Sequence, residues 1–329
     1  MLTIKENLLE TMKKDGTPDR FVNQYEFMDC IFEASYYMGD YPFIPGNEGY
    51  DQYGVFWRLP VGQMGAFPVH DEEHRLVKDI TKWKEVVKRP FLIPAPPYWD
   101  MLKGKAAATD RNQKFVASLH PQGLFERIHA LMGMEDAMAN FYEEPECMHE
   151  LIDFITDVEI EYAHAMIEKV GIDCVLHHDD WGSYKNSFMS PAMFDEFILP
   201  AYKKIYGVYK ENNVLIVHHN DGFSANLVPE MIEMGIDIWQ GPVPTNNIPE
   251  LIDKYEGQIT FMGEIESKLC DIPNWDPEVI ANEVRRACTK VGPRRSFIPS
   301  STLGTPGSFY PGAYEEISKN IDLMSKELF

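Results

Sequence analysis

A (β/α)8 TIM barrel with a loop-rich N-terminal elaboration is the fold class this sequence predicts, on three observations. The chain has 329 residues, a length that suits one large α/β domain better than two independent ones. Its second half alternates short apolar runs with amphipathic stretches, the pattern of a parallel sheet flanked by helices. No GxGxxG loop follows the first strand, where an open doubly wound nucleotide-binding sheet would carry one. The expected organisation is a single barrel domain over 1–329, with 36–110 as a cap-like insertion.

In chain order, residues 20–27 (RFVNQYEF) and 114–120 (KFVASLH) read as strands. Between them, 36–110 is rich in Tyr, Trp, Gly and Pro and reads as loops with short strands. Residues 143–171 predict a long amphipathic helix with Met148, Leu151, Ile152, Ile155 and Val158 on its apolar face. Residues 173–182 (DCVLHHDDWG) are a strand and its loop. A helix follows over 190–213, introduced by Ser190 with Pro191 in its first turn. The segment 214–222 (VLIVHHNDG) begins apolar and breaks into two histidines, an amide and a carboxylate, as a buried parallel strand emptying into a polar loop would. Helix 225–235 closes on Gly235. Strand 236–242, helix 247–257, strand 259–267, helix 277–292, strand 296–302 and helix 313–328 complete the chain. Seven strands are expected in all.

Composition narrows the function classes. The chain is 44% hydrophobic and 25% charged, ordinary for a soluble globular enzyme. No run approaches the 18 or so apolar residues of a membrane span, and the charged stretch 1–16 has no apolar core of signal-peptide type. A cytoplasmic location is expected. Cys30, Cys147, Cys174, Cys270 and Cys288 are scattered without CxxC spacing, so reduced packing thiols are expected rather than a cysteine-rich zinc site. The net charge of −22 repels a phosphate backbone and argues against nucleic acid as a partner.

Polar residues collect where the strands stop: His120, then His177, His178, Asp179 and Asp180, then His218, His219, Asn220 and Asp221, then Gln240, Glu264, Glu266 and Ser300–Thr302. In a barrel that rim is the active face. Asp180, His178 and Asp221 are the candidate catalytic groups, and Tyr53, Phe56, Trp57, His120 and Gln240 the candidate substrate contacts. His219, Asp221 and Glu264 are candidate ligands for Zn2+ with an open position for substrate. Each has a plainer reading. His177 and His178 read equally as a site or as hydrogen-bonded core, Glu266 as a turn cap, Ser300–Thr302 as backbone satisfiers. The aromatic stretch 50–57 reads as cap packing as well as a clamp on an aromatic ligand. A further cluster, Glu33, Glu48 and His70, lies in the cap without strand-end logic.

DDWG…SPAMFDEFILPAYKKIY, then VHHNDG…LVPEMIEMGIDIWQGP, then ITFMGEIES resemble the uroporphyrinogen decarboxylase superfamily, and within it the corrinoid-dependent methyltransferases. The resemblance covers roughly 110–329, and TPDRFVNQYE at 17–26 is similar to the family's first strand. It implies the barrel. Thiol-methylating members hold zinc with a His-x-Cys-Gly motif after one strand and a second Cys after the last. Here the motif reads His219-Asn220-Asp221-Gly222, and the last-strand loop is Ser300-Ser301-Thr302. His219 is retained, and Asp221 stands at the thiolate position, as ligand or as the group orienting His219. Carboxylate in place of sulfur leaves a harder, more Lewis-acidic ion, suited to an ether oxygen rather than a thiol.

The resemblance therefore implies methyl transfer from a small methoxylated, aromatic compound to the Co(I) corrinoid of a separate protein. No Asp-x-His-x-x-Gly segment is present to hold a corrinoid on this chain. The alternatives are a metal-free decarboxylase, a methylcorrinoid:thiol methyltransferase, and a ligand-binding scaffold. The Arg-rich N-terminal motif by which decarboxylases of the family hold porphyrin carboxylates is not found. A homodimer is left open.

Overall fold

The computed structural model describes residues 1–329 except 32–39, 64, 92–95, 294–295 and 305–306. Seven strands make one all-parallel sheet in the order β1, β5, β6, β7, β8, β9, β10. These are β1 (Met28–Ile31), β5 (Phe115–His120), β6 (Cys174–His178), β7 (Leu215–His219), β8 (Ile238–Gln240), β9 (Thr260–Ile265) and β10 (Phe297–Ser301). Helices cross between successive strands, giving a curled, TIM-barrel-like α/β fold. Among the described residues the count matches the seven strands of the sequence reading. A second, antiparallel sheet of β2 (Glu48–Tyr50), β3 (Phe56–Arg58) and β4 (Phe67–Pro68) lies in the insertion. Among the described residues no helix is long and apolar enough to cross a membrane.

Each barrel strand has two buried faces, and alternate residues go to different cores. Phe115, Ala117, Cys174, Leu176, Val217, Ile238, Met262 and Ile298 share one cluster with Val22, Tyr25, Phe27 and Met28. Leu8 of the N-terminal helix is the one helical residue buried among them, so this is the space the sheet encloses. Val116, Val175, Ile216, Trp239, Phe261 and Phe297 point the other way, into the core shared with the crossover helices. The register pairs His120 with His177, His177 with His218, and His178 with His219. Parity then sends His178, His219 and Gln240 to the enclosed side, and His120, His177 and His218 into the wall.

The first strand lies later than expected. Residues 20–27 form a turn in which Gln24 adopts a left-handed φ of 51°, and the amides of Glu26 and Met28 bond back to Asn23 and Tyr25. The insertion holds more helix than its composition suggests: Pro96–Ala107 is a 12-residue helix between β1 and β5. The expected helix 190–213 is two, Pro191–Phe197 and Leu199–Glu211, with Pro200 opening the second because it lacks the N–H that would continue the first. Ser190 caps the first as expected, accepting from the Met193 amide at 3.3 Å. The long helix runs Pro145–Ala165 and ends in a π-helical turn, Met166–Val170, closed by left-handed Gly171.

Candidate active site

The carboxyl ends of β6 and β7 put His178 and His219 side by side, ring centroids 4.3 Å apart and planes within 16°. The Nδ1 atom of each is held from behind. His178 Nδ1 meets Glu126 Oε2 at 2.7 Å, and His219 Nδ1 makes a short bond to Gln240 Oε1. Asp180 approaches His219 Nε2 at 3.9 Å and accepts from the Asp221 amide at 3.0 Å. One ligand atom from each of His178, Asp180 and His219 falls within a 4.8 Å group. Burial alone would lower His178, but the Glu126 and Asp180 carboxylates outweigh it and hold the imidazole up at about 10. His219, buried beside that charge, drops to about 4 and is neutral. Burial and the neighbouring Asp180 raise Asp221 to about 7.

Of the adjacent carboxylates, only Asp180 serves this cluster. Asp179 is buried and caps the helix Leu124–Met132, accepting from the amides of Phe125 and Glu126 at 3.0 and 2.8 Å. Trp181 Nε1 and the Tyr202 hydroxyl donate to it as well, at 2.8 and 2.6 Å. That cap sets the first turn of the helix against β6 and so delivers Glu126 to His178. Gly123 is required there, because a Cβ would lie 2.5 Å from both Asp179 Cβ and Tyr202 Oη. Glu126 was not singled out by the sequence reading.

Two chambers meet at His178 and Pro121. One, of about 400 Å3, is walled by Tyr41, Phe43, Trp57 and Leu59 and reaches Glu126 and His178. The other, of about 270 Å3, is lined by Leu119, Leu176, His178, His219, Asp221 and Leu303. Trp57, an expected substrate contact, lines the first chamber. Its Nε1 donates to Asp51 Oδ2 at 3.0 Å, and Asp51 also takes the Arg127 guanidinium at 2.5 Å, which ties the cap to helix Leu124–Met132. The sequence reading did not identify Asp51 either.

Other expected site residues are placed elsewhere. His120 is not at the mouth: it lies in the wall, its ring 4.4 Å from His177 and its Nε2 3.8 Å from Glu159. Burial lowers both wall histidines to about 3 and raises Glu159 to about 7. Tyr53 is buried under the Arg127 guanidinium, 4.1 Å from its ring centroid, and lines a void of about 10 Å3. Phe56 packs on His74 at 4.3 Å and lines neither chamber. Gln240 is fully buried and bonds to His219.

Glu264 requires the clearest correction. By parity with Met262 it belongs on the enclosed face, but its φ of 72° rotates it out of the alternation. Its Oε1 accepts from Arg286 and Lys290 at 2.7 Å each, both on the helix Pro277–Val291 outside the sheet. It is an ionic strut, and Asp180 is the carboxylate grouped with His178 and His219. Asp221 lines the chamber but falls outside the 4.8 Å donor group. In the cap, Glu48 pairs with Arg58 and His70 with the Ala130 carbonyl, while Glu33 lies outside the described residues.

A curled parallel sheet with imidazoles, carboxylates and an aromatic chamber at its carboxyl end defines a barrel-type α/β protein with a polar mouth. The family described as uroporphyrinogen decarboxylase (URO-D) matches residues 125–317, and the chain belongs to that family. The uroporphyrinogen decarboxylase of Citrifermentans bemidjiense is 26% identical over 151 residues, 44% of this chain and 40% of that protein. The methylcobamide:CoM methyltransferase MtbA of Methanosarcina acetivorans is 31% identical over 98 residues, 30% of this chain and 28% of that one. The chain thus spans less than half the length of the curated relatives it matches. In structure, a methyltransferase from Methanosarcina mazei superposes with a TM-score of 0.65 at 15% identity, covering 99% of both chains.

Proposed function

We propose that the chain is a substrate-side methyltransferase, moving a methyl group from a methoxylated aromatic compound to the reduced corrinoid of a separate protein. The observation that carries this reading is the position of His178, which borders both the aromatic chamber and the chamber of His219 and Asp221. Tyr41, Phe43 and Trp57 offer an aromatic ring an apolar wall and exclude water from it. The relative named as a methylcobamide methyltransferase supports the methyl-transfer chemistry.

The donor set would fit a zinc ion that displaces the proton held on His178. Glu126 and Gln240 engage Nδ1 of His178 and His219, so Nε2 is the nitrogen each ring presents to a cation, with Asp180 beside them. His178, Asp180 and His219 would hold the ion, which when bound supplies Lewis-acid stabilisation to an oxygen leaving with negative charge. Glu126 and Gln240 fix the ring orientations. Asp221, its carboxyl held near 7, stands in the chamber wall to protonate the departing oxygen. The electron pair of the broken C–O bond stays on that oxygen, and solvent returns the proton to Asp221.

The test mixes the protein with a reduced corrinoid protein and 1,2-dimethoxybenzene. The expected products are 2-methoxyphenol and methylated corrinoid in equal amounts. No demethylation across a panel of methoxyarenes, with a corrinoid shown to be competent, overturns the proposal.

A further inference from the structure

The wall cluster has no part in that chemistry, and its composition is unusual for a barrel wall. His120 and His177 are register partners on β5 and β6, with ring planes within 13° of each other. Glu159, from the helix Pro145–Ala165, reaches both: Oε2 is 2.9 Å from His177 Nε2 and 3.8 Å from His120 Nε2. One donor atom from each of the three lies within a 4.8 Å group, and all three residues are buried.

Two further observations point to a ligand. Glu159 Oε1, His177 Nδ1 and Ser118 Oγ are buried with no hydrogen-bond partner among the described residues, although buried polar atoms are rarely left so. The Arg127 guanidinium lines the adjoining void but is matched by the Asp51 carboxylate. Its charge also reaches Glu159, and burial outweighs it. Buried carboxylates are stabilised by a paired cation or a metal. The adjoining void of about 10 Å3 has room for about one water molecule.

We propose that His120, His177 and Glu159 form a second divalent-cation site inside the barrel wall, separate from the mouth. Two imidazoles, one carboxylate and a water supply the four-coordinate set that Zn2+ favours. The ion ties β5 and β6 to the helix Pro145–Ala165.

The test is zinc content per chain after equilibration with Zn2+ and removal of loosely held metal. Four proteins are compared: the unaltered chain, Glu159→Gln, His219→Ala and the double variant. The expected result is the loss of one equivalent in Glu159→Gln, whatever His219→Ala does. An unchanged zinc content in a natively folded Glu159→Gln overturns the wall site. Loss in His219→Ala alone leaves only the mouth site, and loss in Glu159→Gln alone leaves only the wall site. If Glu159→Gln does not fold, anomalous scattering at the zinc edge from crystals of the unaltered protein decides. A peak between His120 and His177 is expected, and its absence overturns the proposal.

Discussion

His177 and His178 are consecutive on one strand, as are His218 and His219 on the next, yet the two members of each pair occupy different chemical worlds. His178 and His219 open onto chambers of ligand size, each with one nitrogen tethered and the other presented outward. His177 and His218 are sealed between sheet and helices. His218 is bonded to the Tyr206 hydroxyl at 2.6 Å and the Asp179 carbonyl at 3.1 Å, with Trp181 stacked 4.0 Å away. In this sheet one residue's difference in strand position separates chemistry from architecture.

The most direct way to break that contrast is a pair of neighbouring alanines. His219→Ala is expected to reduce methyl transfer at least about a hundredfold, the scale of losing a metal ligand or its support, with little change in melting temperature. His218→Ala is expected to do the reverse, costing about 3 kcal/mol in denaturant unfolding from lost packing and hydrogen bonds. It would leave kcat within a few-fold. Similar phenotypes from the two would erase the distinction.

Glu126→Gln sharpens the mouth side. Removing the carboxylate behind His178 should lower kcat about ten- to a hundredfold and bring the imidazole down from about 10, which a pH titration followed by NMR would read. Glu264→Gln checks the reassigned strut. Urea unfolding should register a loss of about 1–3 kcal/mol from the weakened bonds to Arg286 and Lys290, with zinc content unchanged.

The smallest effect expected is on pH dependence, measured on chelator-treated protein. His178 is raised above its ordinary value near 6.5, so its stabilising share is complete below that pH and fades as pH climbs toward 10. The wall histidines are lowered to about 3, so their share is complete above 6.5 and fades as pH falls toward 3. Glu159, raised to about 7, opposes them on the acid side. Thermal melts between pH 7 and 10 should slope less steeply in Glu126→Gln than in the unaltered chain. Identical slopes would remove Glu126 as the source of the His178 charge.

Much of the fold was readable from sequence because strand and helix lengths, turn glycines and Ser190–Pro191 all signal locally. Which histidine of each pair faces the mouth was not. Val175 and Leu176, or Ile216 and Val217, are equally apolar because both faces of the strand are buried, so no alternation marks the inside. Asp179 and Asp180 pose the same problem, and only the distant amides of Phe125 and Glu126 tell them apart. Glu126 lies 52 residues before its histidine, beyond any local pattern. Glu264 defeats parity outright, since a left-handed residue in mid-strand has no signature when it is not glycine.

The Asp179 cap has one more consequence, visible as hydrogen exchange. The amides of Leu124, Phe125 and Glu126 are all held by side chains, Leu124 by the Tyr202 hydroxyl at 3.2 Å and the other two by Asp179. Tyr202 itself donates to Asp179, so none of the three can open while that carboxylate stays in place. They would exchange on a common clock. The same opening carries Glu126 away from His178, so the exchange rate of three backbone amides counts how often the mouth loses its anchor.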